Sequence, residues 1–342
     1  MLWNMTMEKT EIIQKDEEIA NILKEKYPHQ DNIHFKNFFH LNQKEIYSNH
    51  NEYICSYIIQ NYMTSNIYLA LKKISSGEGF IFDKENNLYL KAHSQMISKL
   101  LIDYTNNFII SCSYDKNINI WDLCKLNNNS EKLSSLKEHK GRIYDMDLII
   151  NKDELISVGM DKNILLWDIK NFTLIKKIFL NSSIHNLMVR YLSMNETFID
   201  HKTDELIFVY SKNKVIYLIN LNNSETIEKF NISCFDGSIL LLNNEEYLYQ
   251  NQKTYQLDIF NIKTKTIKSV MKGYKNKILI IQNFTKGNKI ISFDSGNNIK
   301  IWNYIKLFCE LNIKIDFVLY CLFIENKGNL FCGSINKTYI YN

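Results

Sequence analysis

Proline occurs once and glycine ten times in the 342 residues, so collagen-like, proline-rich and long flexible linker architectures are excluded. Arginine is nearly absent: of 41 basic residues two are Arg, at 142 and 190. Ile, Lys, Asn, Tyr and Phe are abundant, a skew that follows A/T-rich codons, so Asn or Lys richness alone carries no functional argument. The seven cysteines (55, 112, 124, 234, 309, 321, 332) are odd in number and show no CxxC spacing. That argues against a zinc site or a disulfide framework and for a reducing compartment. No apolar run approaches the roughly 18 residues that cross a bilayer, and the first residues lack a signal-peptide core. No GxGxxG or GxxxxGKS loop occurs, so nucleotide binding has no support. The net charge of +4 is spread over many lysines without a block of like charge, which argues against a nucleic-acid tail. An intracellular chain, cytoplasmic or nuclear, is the expectation, with no membrane insertion.

What is present is enough to build a core: 45% apolar and 23% charged residues are near globular averages. Residues 8–26 place Ile12, Ile13, Ile19, Ile22 and Leu23 among charges at helical spacing, and Tyr27-Pro28 stops the pattern. A short N-terminal helix over 1–28 is therefore expected. From about residue 33 the texture changes to runs of four to eight β-branched and aromatic residues separated by Asn, Asp, Ser, Lys and Gly, as in many short strands.

The strands repeat. Residues 109–123 (IISCSYDKNINIWDL), 155–169 (LISVGMDKNILLWDI) and 290–304 (IISFDSGNNIKIWNY) are copies of one unit. In the first two a His lies 28 residues before the Trp, a Ser 10 before and an Asp 6 before: His93, Ser111, Asp115, Trp121 and His139, Ser157, Asp161, Trp167. In the third, Tyr274 replaces His, Ser292 is kept, and Gly296 replaces Asp beside Trp302, so the network of the other two is not expected to form there.

These motifs resemble the WD40 repeat family, in which each repeat forms one four-stranded propeller blade. Strand ends traced on that basis fall at Phe82-Asp83, Trp121-Asp122, Trp167-Asp168, Ile219-Asn220, Phe260-Asn261, Trp302-Asn303 and Tyr341-Asn342. The resemblance implies an all-β fold, a single seven-bladed propeller over 29–342, closed by an N-terminal strand. The apolar segment IHFKNFFHL at 33–41 is the expected closing strand, which would cover two free sheet edges. In that family the Trp, Ser, His and Asp form a buried hydrogen-bonded chain. A catalytic triad would be the other reading of Ser, His and Asp, but two copies argue against a single catalytic site. Partner-facing side chains in the family map to Met96, Tyr114, Arg142, Tyr144 and Met160, of types enriched in interface cores.

The role implied is a non-catalytic scaffold that assembles a multiprotein complex, without cofactor or small-molecule substrate and with nucleic acid only indirectly. The alternatives are an RNA-processing or ribosome-assembly subunit and a G-protein-beta-like signalling subunit. The Trp-Asp-x-Arg motif of cullin-ligase substrate receptors is missing, since Trp121-Asp122 and Trp167-Asp168 lead into Leu123-Cys124 and Ile169-Lys170. His29, His34, His40 and His50, with Cys55 nearby, match no zinc-finger spacing, so no metal site is expected.

Overall fold

The structure, a computed structural model, describes residues 43–48, 53–60, 66–126, 132–149, 152–180, 191–192, 206–211, 214–232, 234–242, 246–284, 288–324, 330–334 and 337–341. The 8–26 helix, the 33–41 strand and the four N-terminal histidines lie outside them.

Every sheet among the described residues is four-stranded and antiparallel; there are seven, and the first six are meanders of consecutive strands. The first comprises Tyr53–Gln60, Ile67–Lys73, Gly79–Asp83 and Leu88–His93. The second comprises Ile97–Asp103, Phe108–Ser113, Ile118–Asp122 and Ser134–Leu136. The third runs Ile143–Ile149, Glu154–Gly159, Asn163–Asp168 and Thr173–Phe179. In the fourth, the inner strand is two residues, Tyr191–Leu192, followed by Leu206–Tyr210, Val215–Asn220 and Thr226–Asn231. The fifth is Cys234–Leu241, Glu246–Asn251, Leu257–Asn261 and Thr266–Met271. The sixth is Ile278–Phe284, Lys289–Asp294, Asn298–Asn303 and Phe308–Lys314. The seventh takes Cys321–Ile324, Leu330–Gly333 and Lys337–Tyr341 from the C-terminal end of the chain and Gln43–Ser48 from the N-terminal end.

The strand that completes the seventh sheet is thus Gln43–Ser48, paired from Gln43↔Tyr341 to Ser48↔Lys337, and not the apolar 33–41 segment expected to do so. The physical reason lies in what an outer strand needs. The outer strands Thr173–Phe179 and Thr226–Asn231 are mostly exposed, so such a strand is defined by backbone pairing and leaves little hydrophobic signal.

Neighbouring sheets pack face to face through apolar clusters. Ile156, Val158 and Ile164 of the third sheet meet Ile207, Val209 and Ile219 of the fourth. Tyr210 and Ile216 of the fourth meet Tyr247 and Tyr249 of the fifth, and Leu248 and Leu257 of the fifth meet Ile290 and Trp302 of the sixth. The seventh meets the first through Cys321 against Cys55, Leu69 and Leu71. Strand alternation supplies these faces: both sides of a middle strand are buried, as the uninterrupted burial of Ile164 to Trp167 shows.

Hydrogen bonds from inner-strand bulges lock some of these contacts. The pairing of the first two strands shifts between Cys55 and Tyr57 and between Ile97 and Lys99, which sets Ser56 and Ser98 apart from the ladder. Ser56 Oγ donates to Ile97 O at 2.8 Å and Ser98 Oγ donates to Ile143 O at 2.8 Å, each reaching the next sheet. The bulge therefore aims a hydroxyl at a neighbour.

Strand ends are held by Asx turns. Asp168 Oδ1 accepts from the Lys170 and Asn171 amides at 2.9 and 2.8 Å, and Asn303 Oδ1 accepts from Ile305 and Lys306 at 3.2 and 2.9 Å. Both Asp and Asn present the required acceptor oxygen, so a Trp-Asn ending serves as well as Trp-Asp. Glycine scarcity shows in these turns, where Phe172, Lys265 and Leu307 adopt φ of 57°, 58° and 60°. Leu307→Gly is expected to stabilise the protein by roughly 0.5–1 kcal/mol, because relief of the left-handed penalty exceeds the entropy that glycine adds to the unfolded chain. A urea midpoint that fails to rise would refute this.

Candidate functional site

In the second repeat copy the indole Nε1–H of Trp167 donates to Ser157 Oγ at 2.8 Å. The same hydroxyl lies 2.8 Å from His139 Nε2, and His139 Nδ1 lies 3.0 and 3.1 Å from the two Asp161 oxygens. The first copy has the same chain: Trp121 to Ser111 at 3.4 Å, Ser111 to His93 at 2.8 Å, and His93 to Asp115 at 3.0 and 3.1 Å. A carboxylate only accepts, so each histidine Nδ1–H donates to its Asp. The Asp also ties down its own turn and the entry to the sheet. Asp161 accepts from Lys140 N at 2.7 Å and Asn163 N at 3.3 Å, and Asp115 accepts from Ser94 N and Asn117 N at 3.0 Å each. Burial alone would raise both carboxyls. The histidine hydrogen bond and charge, with the backbone donors, outweigh it and hold Asp115 and Asp161 below the usual carboxylate range.

Ser111 and Ser157 are fully buried (0% exposed), each between an indole and an imidazole. A hydrolytic serine must reach a substrate carbonyl, and these do not reach the surface.

The third copy is rebuilt only in part, and the buried Trp302 indole Nε1–H makes no hydrogen bond. The Tyr274 hydroxyl bonds Ser292 Oγ, and its ring stacks on Trp302 with centroids 4.9 Å apart. Lys300 sits over the Tyr274 ring at 4.4 Å and donates to Gly273 O at 2.9 Å; burial pulls its ammonium below the ordinary lysine value. The missing turn acceptor at Gly296 is replaced two residues earlier: Asp294 Oδ1 accepts from Gly296 N, Asn298 N and Asn298 Nδ2 at 2.9, 3.1 and 2.8 Å. The sequence signal for this substitution is Asp294 itself, which a fixed repeat spacing passes over. Gln250 in the fifth sheet also escapes the repeat pattern. It donates to Tyr255 O and Asn276 O and accepts from Ile278 N, spanning the junction to the sixth sheet at 2.9, 2.8 and 2.7 Å.

In an antiparallel meander the second-to-third connections and the sheet-to-sheet connections fall at the same end. The five interface candidates all lie there, on or beside such connections of the second and third sheets. Tyr114 and Tyr144 meet edge to face with centroids 5.8 Å apart, and the Arg142 guanidinium lies 5.1 Å from the centre of the Tyr114 ring. Backbone bonds link the remainder: Tyr114 N donates to Met96 O at 3.1 Å and Met160 N donates to Arg142 O at 2.8 Å. Met160 is half exposed, while Met96 is partly covered. Burial and the Tyr144 phenol push the Tyr114 hydroxyl above its ordinary value, against the pull of Arg142. The structure thus joins Tyr114, Tyr144 and Arg142 by side-chain contact and Met96 and Met160 to them through the backbone.

Among the described residues no group of three or more His, Cys, Asp or Glu is arranged to hold a metal ion, and no helix is long and apolar enough to cross a membrane.

Comparison with known proteins agrees with this geometry. The family model described as WD domain, G-beta repeat, matches residues 85–122 and 130–168. Among solved structures, the WD40 β-propeller domain of Doa1 superposes with a TM-score of 0.65 at 14% identity, covering 88% of this chain and 97% of that one. No curated protein matches the sequence. The chain thus carries two WD40 repeats, at residues 85–122 and 130–168, in a fold similar to that of a WD40 β-propeller.

Proposed function

We propose that the chain is a non-catalytic platform for assembling a protein complex, its seven sheets forming the blades of one ring that Gln43–Ser48 closes. WD40 propellers generally serve as protein-interaction scaffolds. The observation that carries the reading here is the Tyr114–Tyr144–Arg142 cluster with half-exposed Met160, at one end of two adjacent blades. Aromatic, methionine and arginine side chains are the types that dominate interface energetics. The Trp-Ser-His-Asp chains beneath hold the turns that present them, which is the rigid support a binding surface needs.

Replacing Tyr114, Arg142 and Met160 together by alanine is expected to abolish capture of partners by the tagged protein in about 150 mM salt, with the thermal midpoint little changed. Partners are identified by mass spectrometry, with and without nuclease. Undiminished capture by the triple variant would remove this surface from consideration, and capture that disappears with nuclease would move the role to an RNA-associated complex.

A further inference from the structure

The same end of the second and third sheets carries an excess of uncompensated positive charge. Lys116, Lys137, Lys140, Arg142 and Lys162 all lie on connections at this end, and among the described ion pairs none includes any of them. Three carboxylates share the region, and two are already engaged. Asp115 faces His93 and the Ser94 and Asn117 amides, and Asp161 faces His139 and the Lys140 and Asn163 amides. Glu138 remains, between Lys137 and Lys140.

Arg142 has the geometry of a receptor. Its guanidinium carbon lies 5.1 Å from the centre of the Tyr114 ring, and the planar group carries its N–H donors in a fork that matches a carboxylate. A guanidinium held this way offers a bidentate edge to a carboxylate. Beside it, Met160 exposes an apolar thioether. Charged and apolar recognition elements are therefore adjacent.

We propose that this rim binds an acidic peptide segment of a partner protein, with carboxylates on Arg142 and the surrounding lysines and an apolar side chain on Met160 and Tyr144. The proposal rests on the platform reading and supplies the partner's chemistry. Nucleic acid fits less well. Base stacking needs open aromatic faces, whereas Tyr114 and Tyr144 are packed edge to face and Arg142 lies over Tyr114.

The test is selection of a displayed library of random twelve-residue peptides on the full-length protein, followed by titration of the enriched peptides and of poly-uridine RNA. Acidic peptides with an apolar residue should be enriched, bind more weakly as salt rises from 50 to 200 mM, and lose about tenfold in affinity in Arg142→Gln. The variant changes an exposed side chain, and an unchanged thermal midpoint shows that its fold is kept. Enrichment of neutral or basic peptides, no enrichment, or equal binding by Arg142→Gln would overturn the proposal. So would RNA that binds more tightly than the peptides and is lost in the same variant. The platform reading is judged separately by partner capture with the triple alanine variant, so acidic specificity can fail while the surface assignment stands.

Discussion

Asp161→Ala is expected to lower the unfolding free energy by about 1–3 kcal/mol, and Asp115→Ala by a similar amount. In the native protein each carboxylate takes the Nδ1–H of a buried histidine and two backbone amides. Alanine removes the acceptor but leaves His139 or His93 buried, both 3% exposed, with a donor facing no partner. That uncompensated donor dominates the cost, because the lost hydrogen bond alone is largely repaid by water in the unfolded chain. The loss should appear as a lower urea midpoint with unchanged slope. Unchanged midpoints in both variants would show that the chain is not a structural element. The pH dependence has a definite sign. The folded carboxyls sit below their ordinary range, and an unfolded aspartate titrates near about 3.9. Their contribution is therefore complete above about pH 4 and is lost as pH falls through the folded values, since the unfolded state then binds more protons. The acid-side decline of stability should be shallower in Asp161→Ala than in the parent protein.

The second large effect is expected at the seam between the seventh and first sheets. Gly333→Ala should destabilise the protein by about 1–3 kcal/mol, a cost of overpacking. A Cβ on Gly333 would run into Cys321 Sγ and come within 2.9 Å of Cys55 Sγ and 3.0 Å of Cys55 Cβ. These sulfurs are themselves 3.5 Å apart and buried, so they have little room to retreat. The backbone at Gly333 is not in the left-handed region, so the penalty is one of space. Cys321→Ala removes the obstructing sulfur, and the double variant should lose less than the sum of the two single changes, a coupling in the range of roughly 0.5–3 kcal/mol. Additive losses would show that the two sites do not meet across the seam. A neutral Gly333→Ala would show that the seam is loosely packed.

The repeat register is legible in the sequence because it depends on short-range rules. A turn acceptor must follow the third strand, and a Trp must reach diagonally to a Ser two residues along the adjacent strand: the ladder pairs Leu155 with Trp167 and Ser157 with Leu165, and Trp167 Nε1 donates to Ser157 Oγ. Such constraints recur at constant spacing, so His139, Ser157, Asp161 and Trp167 announce a four-member chain from the sequence. The sixth-sheet copy escapes that logic. Tyr274 reaches Ser292 directly, Asp294 caps the turn from a shifted position, and Lys300 fills the space over the rings. Each is a different residue solving the same packing problem, and fixed spacing cannot reveal it.

The all-β class, the repeats and the residue types of the two tetrads were legible in the sequence alone, through runs of β-branched and aromatic residues, turn chemistry and a constant spacing that act within one repeat. Tertiary structure decided what depends on distant segments meeting. It selected Gln43–Ser48 as the partner of Lys337–Tyr341, because an outer strand is chosen by free backbone groups at a sheet edge and carries little apolar signal. It set Cys55 against Cys321 across 266 residues of chain. It also brought Tyr114, Tyr144 and Arg142 from two sheets into one cluster, a contact created by the packing of one blade on the next.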